Sequence, residues 1–214
     1  MKGTQNHGLV YGRRVDKAKG VQDIDFYKVD HNIEVHVGTS RAFDLRTFSD
    51  ADYATDQKDR KSVTGRVDMI YGAAVSCASS KQQSVAGSTT QAEFLALSVA
   101  AKHSMWMSNL VAIFEGREAD EIEGVPLLFG DNRASIQLTK GVSNTSKVKH
   151  VDVAFFHILD EVKKGKVKAY WVPGGDQLAD GFTKPLPRIA FERNRERIGL
   201  LDVESVEREY VKRS

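Results

Sequence analysis

Three strand-like runs follow one another before the first long helical pattern begins, and that order restricts the fold more than any other feature of the chain. Leu45 to Asp50 reads as a core strand. Gly65 to Tyr71 and Ala73 to Ala78 read as two more, with Gly72 as the only break, which predicts a tight antiparallel hairpin. A long helix then starts near Thr90, with Phe94, Leu97, Ala101, Met105 and Leu110 recurring at helical spacing and Gly116 as its stop. From there the pattern alternates. Pro126 to Phe129 is a short apolar strand ending at Asp131, and Arg133 to Thr139 is a helix stopped by Gly141. A helix over Val151 to Lys164 ends at Gly165, and a strand covers Val167 to Val172. A short helix over Gln177 to Phe182 is broken by Pro185-Leu186-Pro187, and a last helix runs near Ala190 to Ile198. Strands first and alternation later predict a mixed sheet with helices packed on it, an α/β fold. Upstream the signals are weaker: Gly8 to Tyr11 is strand-like, and Ile33, Val35 and Val37 alternate as an edge strand would.

With 214 residues the chain can build one well-buried core plus extensions. A net charge of +2 does not by itself argue for a nucleic-acid partner, so any such partner must be argued from where the charges sit. The single cysteine, Cys77, excludes an internal disulfide and a cysteine-based zinc site. No apolar run approaches the ~20 residues that span a bilayer, and Met1-Lys2-Gly3-Thr4 opens no signal-peptide core. The expectation is a soluble intracellular chain with no membrane partner.

Acidic residues stand at four element boundaries. Asp50 and Asp52 close the first strand and, two apart in extended backbone, face one way. Glu93 opens the long helix, Asp131 follows the short strand, and Asp180 lies in the last short helix. Each has a structural reading as well. Thr90-Gln91-Ala92-Glu93 fits a capping box, Asp131 suits a helix N-cap, and Asp50 and Asp52 suit a turn. Asp176, one turn before Asp180, is the better cap for its helix, which leaves Asp180 without a structural task. Taken together, strand ends and helix starts of an α/β sheet meet at one edge, where sites of this class lie. Four carboxylates gathered there call for two oxygen-loving cations about 3.5–4 Å apart, a pair that can orient a water for attack on a phosphodiester.

Five ordered segments carry a family resemblance: FSDADYATDQKDRKSVTGRV from Phe48, SSKQQSVAGSTTQAEFLAL from Ser79, GDNRASIQL from Gly130, VKHVDVAFFHI from Val148, and WVPGGDQLADGFTKPLPRIAFERNRERIGL from Trp171. In these the chain resembles the ribonuclease H domain of copia-type LTR retrotransposon Pol polyproteins. KGTQNHGLVY from Lys2 is similar to the segment that leads from the reverse transcriptase into that domain. The resemblance implies a ribonuclease H-like fold, a five-stranded mixed sheet flanked by helices. It implies a domain over residues 45–200, preceded by an extension over 1–44 and followed by a charged tail over 201–214. It places Asp50, Glu93, Asp131 and Asp180 as catalytic, metal-binding carboxylates for two magnesium ions, with manganese as an alternative. The implied partners are an RNA–DNA hybrid, whose RNA strand is hydrolysed, and the polymerase domain of the same polyprotein, in the cytoplasm (in retrotransposon particles) or nucleus. Asp52, Lys147, Lys149 and His150 are candidate substrate contacts, and Lys163, Lys164, Lys166 and Lys168 form a basic run nearby. The chain departs from many cellular ribonucleases H at Pro173-Gly174-Gly175-Asp176, where no histidine precedes the last aspartate. Two other readings stay open: a catalytically silent nucleic-acid-binding module, and a metal nuclease of related fold that cuts DNA.

Overall fold

The computed structural model describes residues 7–9, 45–56, 58–70, 72–114, 116, 124–141 and 153–202. The expected edge strand over Ile33 to Val37 lies outside them. A five-stranded mixed sheet is formed by β2 (Leu45–Asp52), β3 (Val63–Ile70), β4 (Ala73–Lys81), β5 (Leu127–Gly130) and β6 (Lys168–Trp171), in the order β4-β3-β2-β5-β6. β1 (His7–Leu9) stands apart from it and pairs antiparallel with β7 (Leu200–Asp202). The first three strands of the large sheet are antiparallel, whereas β5 and β6 run parallel to β2. The predicted hairpin is therefore present as β3 and β4, longer than its expected limits, with Gly72 at φ +83° in the turn.

β2 is the central strand, and its sequence shows why it can be. Leu45, Thr47, Phe48, Ser49, Asp50 and Ala51 are all buried, so the strand is covered on both faces. On one face, Leu45 meets Met107, and Ala51 meets Ala92 and Ala96, all from α1 (Thr89–Phe114). α1 also buries Phe94, Leu97, Ala100 and Ala101 against Leu128, Ala169, α2 (Arg133–Thr139) and α3 (Val153–Lys163). On the other face, Phe48 stacks on Phe129 with ring centroids 4.9 Å apart, over Val67, Val172, Leu178 and Ala179. Burying side chains of this size contributes roughly 1.5–3 kcal/mol each, and that offsets the cost of placing polar residues in the same strand.

The expected short helix over Gln177 to Phe182 is present as 3-10 and not α-helix. It covers Leu178–Phe182 and follows another 3-10 turn, Gly174–Asp176, with Gln177 in extended backbone between them. Segments this short, with glycine at 174, 175 and 181, cannot close several i→i+4 bonds and tighten instead. α4 (Arg188–Arg197) starts directly after Pro187. Among the described residues no helix is long and apolar enough to cross a membrane.

Candidate active site

Asp50 shares the face of Phe48 by strand alternation, and opposite it on β3 stands Gly65. A Cβ at Gly65 would lie 2.6 Å from Thr183 Cγ2 and 2.8 Å from the Ala179 carbonyl, so only glycine lets the turn that carries Asp180 rest on the strand beside Asp50. Gln177, fully buried, ties the same two pieces together. Its Nε2 donates to the Ser49 carbonyl at 2.9 Å, and its Oε1 accepts from the Ala179 N–H at 3.1 Å. Asn194 of α4 holds the Gln177 carbonyl at 3.3 Å. Asp131 follows β5, and its carbonyl accepts the indole N–H of Trp171 at 2.8 Å. Glu93 enters from α1, on the opposite side of the sheet, and is buried.

The result is an acidic cluster at the end of the central strand. Asp50, Asp131 and Asp180 each offer an oxygen within 4.8 Å of the others. Glu93 is not one of these three, yet it feels them: burial, then Asp50 and Asp131, push its carboxyl up to about 9. Burial and Asp50 push Asp180 up to about 6 and raise Asp131 as well. The nearby cation is Lys184, whose Nζ lies 3.1 Å from Asp180 Oδ1 and 3.9 Å from Asp50 Oδ2. Burial opposes its charge, but Asp50, Asp180 and Asp131 outweigh burial and raise its pKa. The Thr183 hydroxyl donates to Asp50 Oδ2. One lysine cannot balance four carboxyl groups. The donors are all hard oxygens, the set that magnesium prefers, and the unmet negative charge is what divalent ions would offset.

The capping roles that competed for these acids go to their neighbours. At α1 the Ser88 hydroxyl accepts the Gln91 N–H at 3.2 Å, and Gln91 Oε1 accepts the Gly87 N–H at 2.8 Å. The box is therefore set by Ser88, and Glu93 is released from it. Asn132, not Asp131, caps α2 by accepting the Ser135 N–H at 3.0 Å. Gln177, not Asp176, caps the second 3-10 turn, while Asp176 pairs with Arg197 at 3.2 Å. Asp52 closes β2 opposite Val63 and is not one of the three clustered aspartates. Lys147, Lys149 and His150 lie outside the described residues. Gly65, Gln177, Thr183 and Lys184 were not anticipated. The available signal was Lys184, four residues after Asp180 and so one turn away.

The sheet order and strand directions, with helices on both faces, are ribonuclease H-like. The homologues of the chain are retrotransposon Pol polyproteins. The Pol polyprotein from transposon RE2 of Arabidopsis thaliana is 29% identical over 174 residues, 81% of this chain. That from transposon TNT 1-94 of Nicotiana tabacum is 30% identical over 156 residues, 73% of the chain. The chain spans only 12% and 11% of their respective lengths. No family model matches. Similar solved structures include ribonuclease H1 of the archaeon Halobacterium salinarum, at 15% identity and TM-score 0.43, covering 70% of this chain and 98% of that one. LC11-RNase H1, solved with an RNA/DNA hybrid, aligns at 12% identity and TM-score 0.44, covering 65% of this chain and 93% of that one.

Proposed function

We propose that this chain is a metal-dependent endoribonuclease that hydrolyses the RNA strand of RNA–DNA hybrids, as in reverse transcription of a copia-type element. One observation carries the reading: three aspartates from separate elements offer oxygens within 4.8 Å of one another, beside a buried Glu93 that Asp50 and Asp131 perturb. Asp50, Glu93, Asp131 and Asp180 would hold two magnesium ions, with manganese able to substitute. When bound, such ions supply a polarised water and stabilise the leaving oxygen.

The protein's own part is placement. Gly65 and Gln177 fix the distance between the strand bearing Asp50 and the turn bearing Asp180. Thr183 orients the Asp50 carboxylate through its hydroxyl bond. Lys184 limits the repulsion among the acids. Selection of the hybrid would come from 2′-hydroxyl contacts on one strand and phosphate contacts on the other, with Asp52, Lys147, Lys149 and His150 as proposed contributors. Residues 45–200 are the proposed catalytic unit, and the polymerase domain of the same polyprotein is its proposed neighbour, given the Pol homologues.

The test is a cleavage assay on an end-labelled RNA–DNA hybrid, a DNA duplex and an RNA duplex, each with magnesium and with chelator. The expected result is cleavage of the hybrid's RNA strand in magnesium alone. Preferential cutting of the DNA duplex would replace the reading by a related DNA nuclease. Binding without cutting would leave a nucleic-acid-binding module.

A further inference from the structure

Two residues past Asp131, an arginine is stacked on a tryptophan ring. Arg133 begins α2 and is exposed. Its guanidinium carbon sits 3.7 Å from the centre of the Trp171 ring. Trp171 is anchored in turn, donating its indole N–H to the Asp131 carbonyl at 2.8 Å. The stacked pair is thus fastened to the backbone of a proposed metal-binding residue. Four other arginines are spent on carboxylates: Arg66 on Asp68, Arg188 on Glu192, Arg195 on Glu196 and Arg197 on Asp176. Among the described residues no carboxylate lies within ion-pair distance of Arg133.

A guanidinium stacked on an aromatic ring uses its face and leaves its edge, where the N–H donors project, free to fork onto an oxyanion. The cluster beside it carries excess acid and would repel a polyanionic substrate until cations are bound. A cation held at the rim of that cluster offsets the repulsion without competing for the metal ligands. We propose that Arg133, oriented by Trp171, binds a backbone phosphate of the nucleic-acid strand seated at the carboxylate cluster. This rests on the nuclease reading above and adds a phosphate subsite to it. The contact is to the backbone and not to a base, so it sets register and affinity and carries no sequence preference.

The test is binding of a fluorescent RNA–DNA hybrid, in chelator so that no strand is cut, across a series of salt concentrations. Native protein is compared with Arg133→Ala, Arg133→Lys and Trp171→Leu, each checked for folding by thermal denaturation. Arg133→Ala should bind more weakly, and the slope of log affinity against log salt should fall by about one, the signature of one lost phosphate contact. Arg133→Lys and Trp171→Leu keep the charge, so the slope should hold while affinity drops from loss of the oriented fork. In magnesium, the loss for Arg133→Ala should appear in KM more than in kcat. A native slope and affinity in Arg133→Ala would overturn the subsite. Native affinity in both charge-keeping variants would overturn the orienting role of Trp171. If the native protein neither bound the hybrid in chelator nor cut it in magnesium, the nuclease reading itself would fall, which separates the two failures.

Discussion

Two buried aspartates on adjacent strands are treated in opposite ways. Asp68 on β3 is fully enclosed and fully answered. Thr47 of β2, its cross-strand neighbour, donates to Oδ1 at 2.9 Å. The Arg66 guanidinium reaches Oδ2 and also bonds the Ser76 hydroxyl at 3.3 Å. His103 Nδ1 from α1 lies 3.2 Å from the same Oδ2. Asp50, equally deep in β2, faces Asp131 and Asp180 near Glu93, and among the described residues Lys184 is the cation that pairs with the group, with the Thr183 hydroxyl and backbone N–H groups as neutral donors. A buried carboxylate that serves only the fold comes with its own cation, because leaving it bare costs several kcal/mol. The cluster at Asp50 breaks that rule, as the proposed cation site would require.

The largest expected effect breaks the cluster. Asp131→Asn keeps shape and removes charge, so cation binding should weaken and cleavage should fall by about a thousandfold or more. On the proposed reading the hybrid is held by phosphate and 2′-hydroxyl contacts, so affinity should stay within about tenfold, roughly 1.4 kcal/mol. Rate and dissociation constant measured on the same preparation decide it. Native cleavage by the Asn variant would mean that Asp131 is not part of the site.

The answered aspartate should behave the other way. Asp68→Ala strands the buried Arg66 cation and should cost about 3–5 kcal/mol of stability. Denaturant unfolding measures this, and the protein still folded at low temperature should bind manganese as the native protein does. Weakened metal binding at native stability would erase the distinction between the two regions.

Glu93→Gln tests the same contrast through the sign of a stability change. An ordinary glutamate titrates near 4.5, whereas Glu93 is pushed up to about 9. Between those values the folded protein holds a proton that the unfolded chain has lost. Stability from this group is therefore full below about pH 4.5 and drains away as pH rises toward 9. In metal-free protein at pH 8, Glu93→Gln should be stabilising, by about 1 kcal/mol or more, since one unit of pKa is worth about 1.4 kcal/mol. Adding magnesium should reverse the order, because ions stabilise only the variant with its ligands intact. A destabilised Gln variant in chelator would show that Glu93 serves the core.

The sheet and the convergence of acids at its edge were legible because they rest on periodicity and on carboxylates at element ends. What fixes their spacing was not. Gly65 reads in sequence as an ordinary strand glycine, and only the turn lying on it shows why a Cβ is excluded. The sequence pattern puts Gln177 inside a helix, because nothing local signals that its amide spans 128 residues to Ser49. The caps fall away from the expected residues, by two at α1 and by one at the other two sites, since Ser88, Asn132 and Gln177 can also accept a first-turn N–H and backbone geometry decides between neighbours. The Asp68 group was invisible because Arg66, Asp68 and Ser76 look like the polar face of a hairpin, and His103 completes the group from a distant helix.

The smallest effect concerns His103, a partly exposed member of the Asp68 group, at 27% side-chain exposure. Burial lowers its pKa, Asp68 pulls the other way, and Arg66 adds to the lowering, for a net depression below 6.5. A histidine depressed in the folded state binds its proton more readily when unfolded. Its contribution is therefore complete above about pH 6.5 and is lost as pH falls toward the folded value. This is opposite in direction to the carboxylate cluster, which gains stability on acidification. His103→Gln should flatten the acid side of the stability–pH curve while leaving the alkaline decline that belongs to Glu93. At pH 7.5 it should cost less than about 1 kcal/mol, because Thr47 and Arg66 still answer Asp68 and solvent screens the rest. Denaturation midpoints from pH 5 to pH 9, taken in chelator for native, Glu93→Gln and His103→Gln proteins, separate the two limbs. If His103→Gln instead removed the alkaline decline, the two regions would be electrostatically coupled through β2 and β3, and treating them as independent would be wrong.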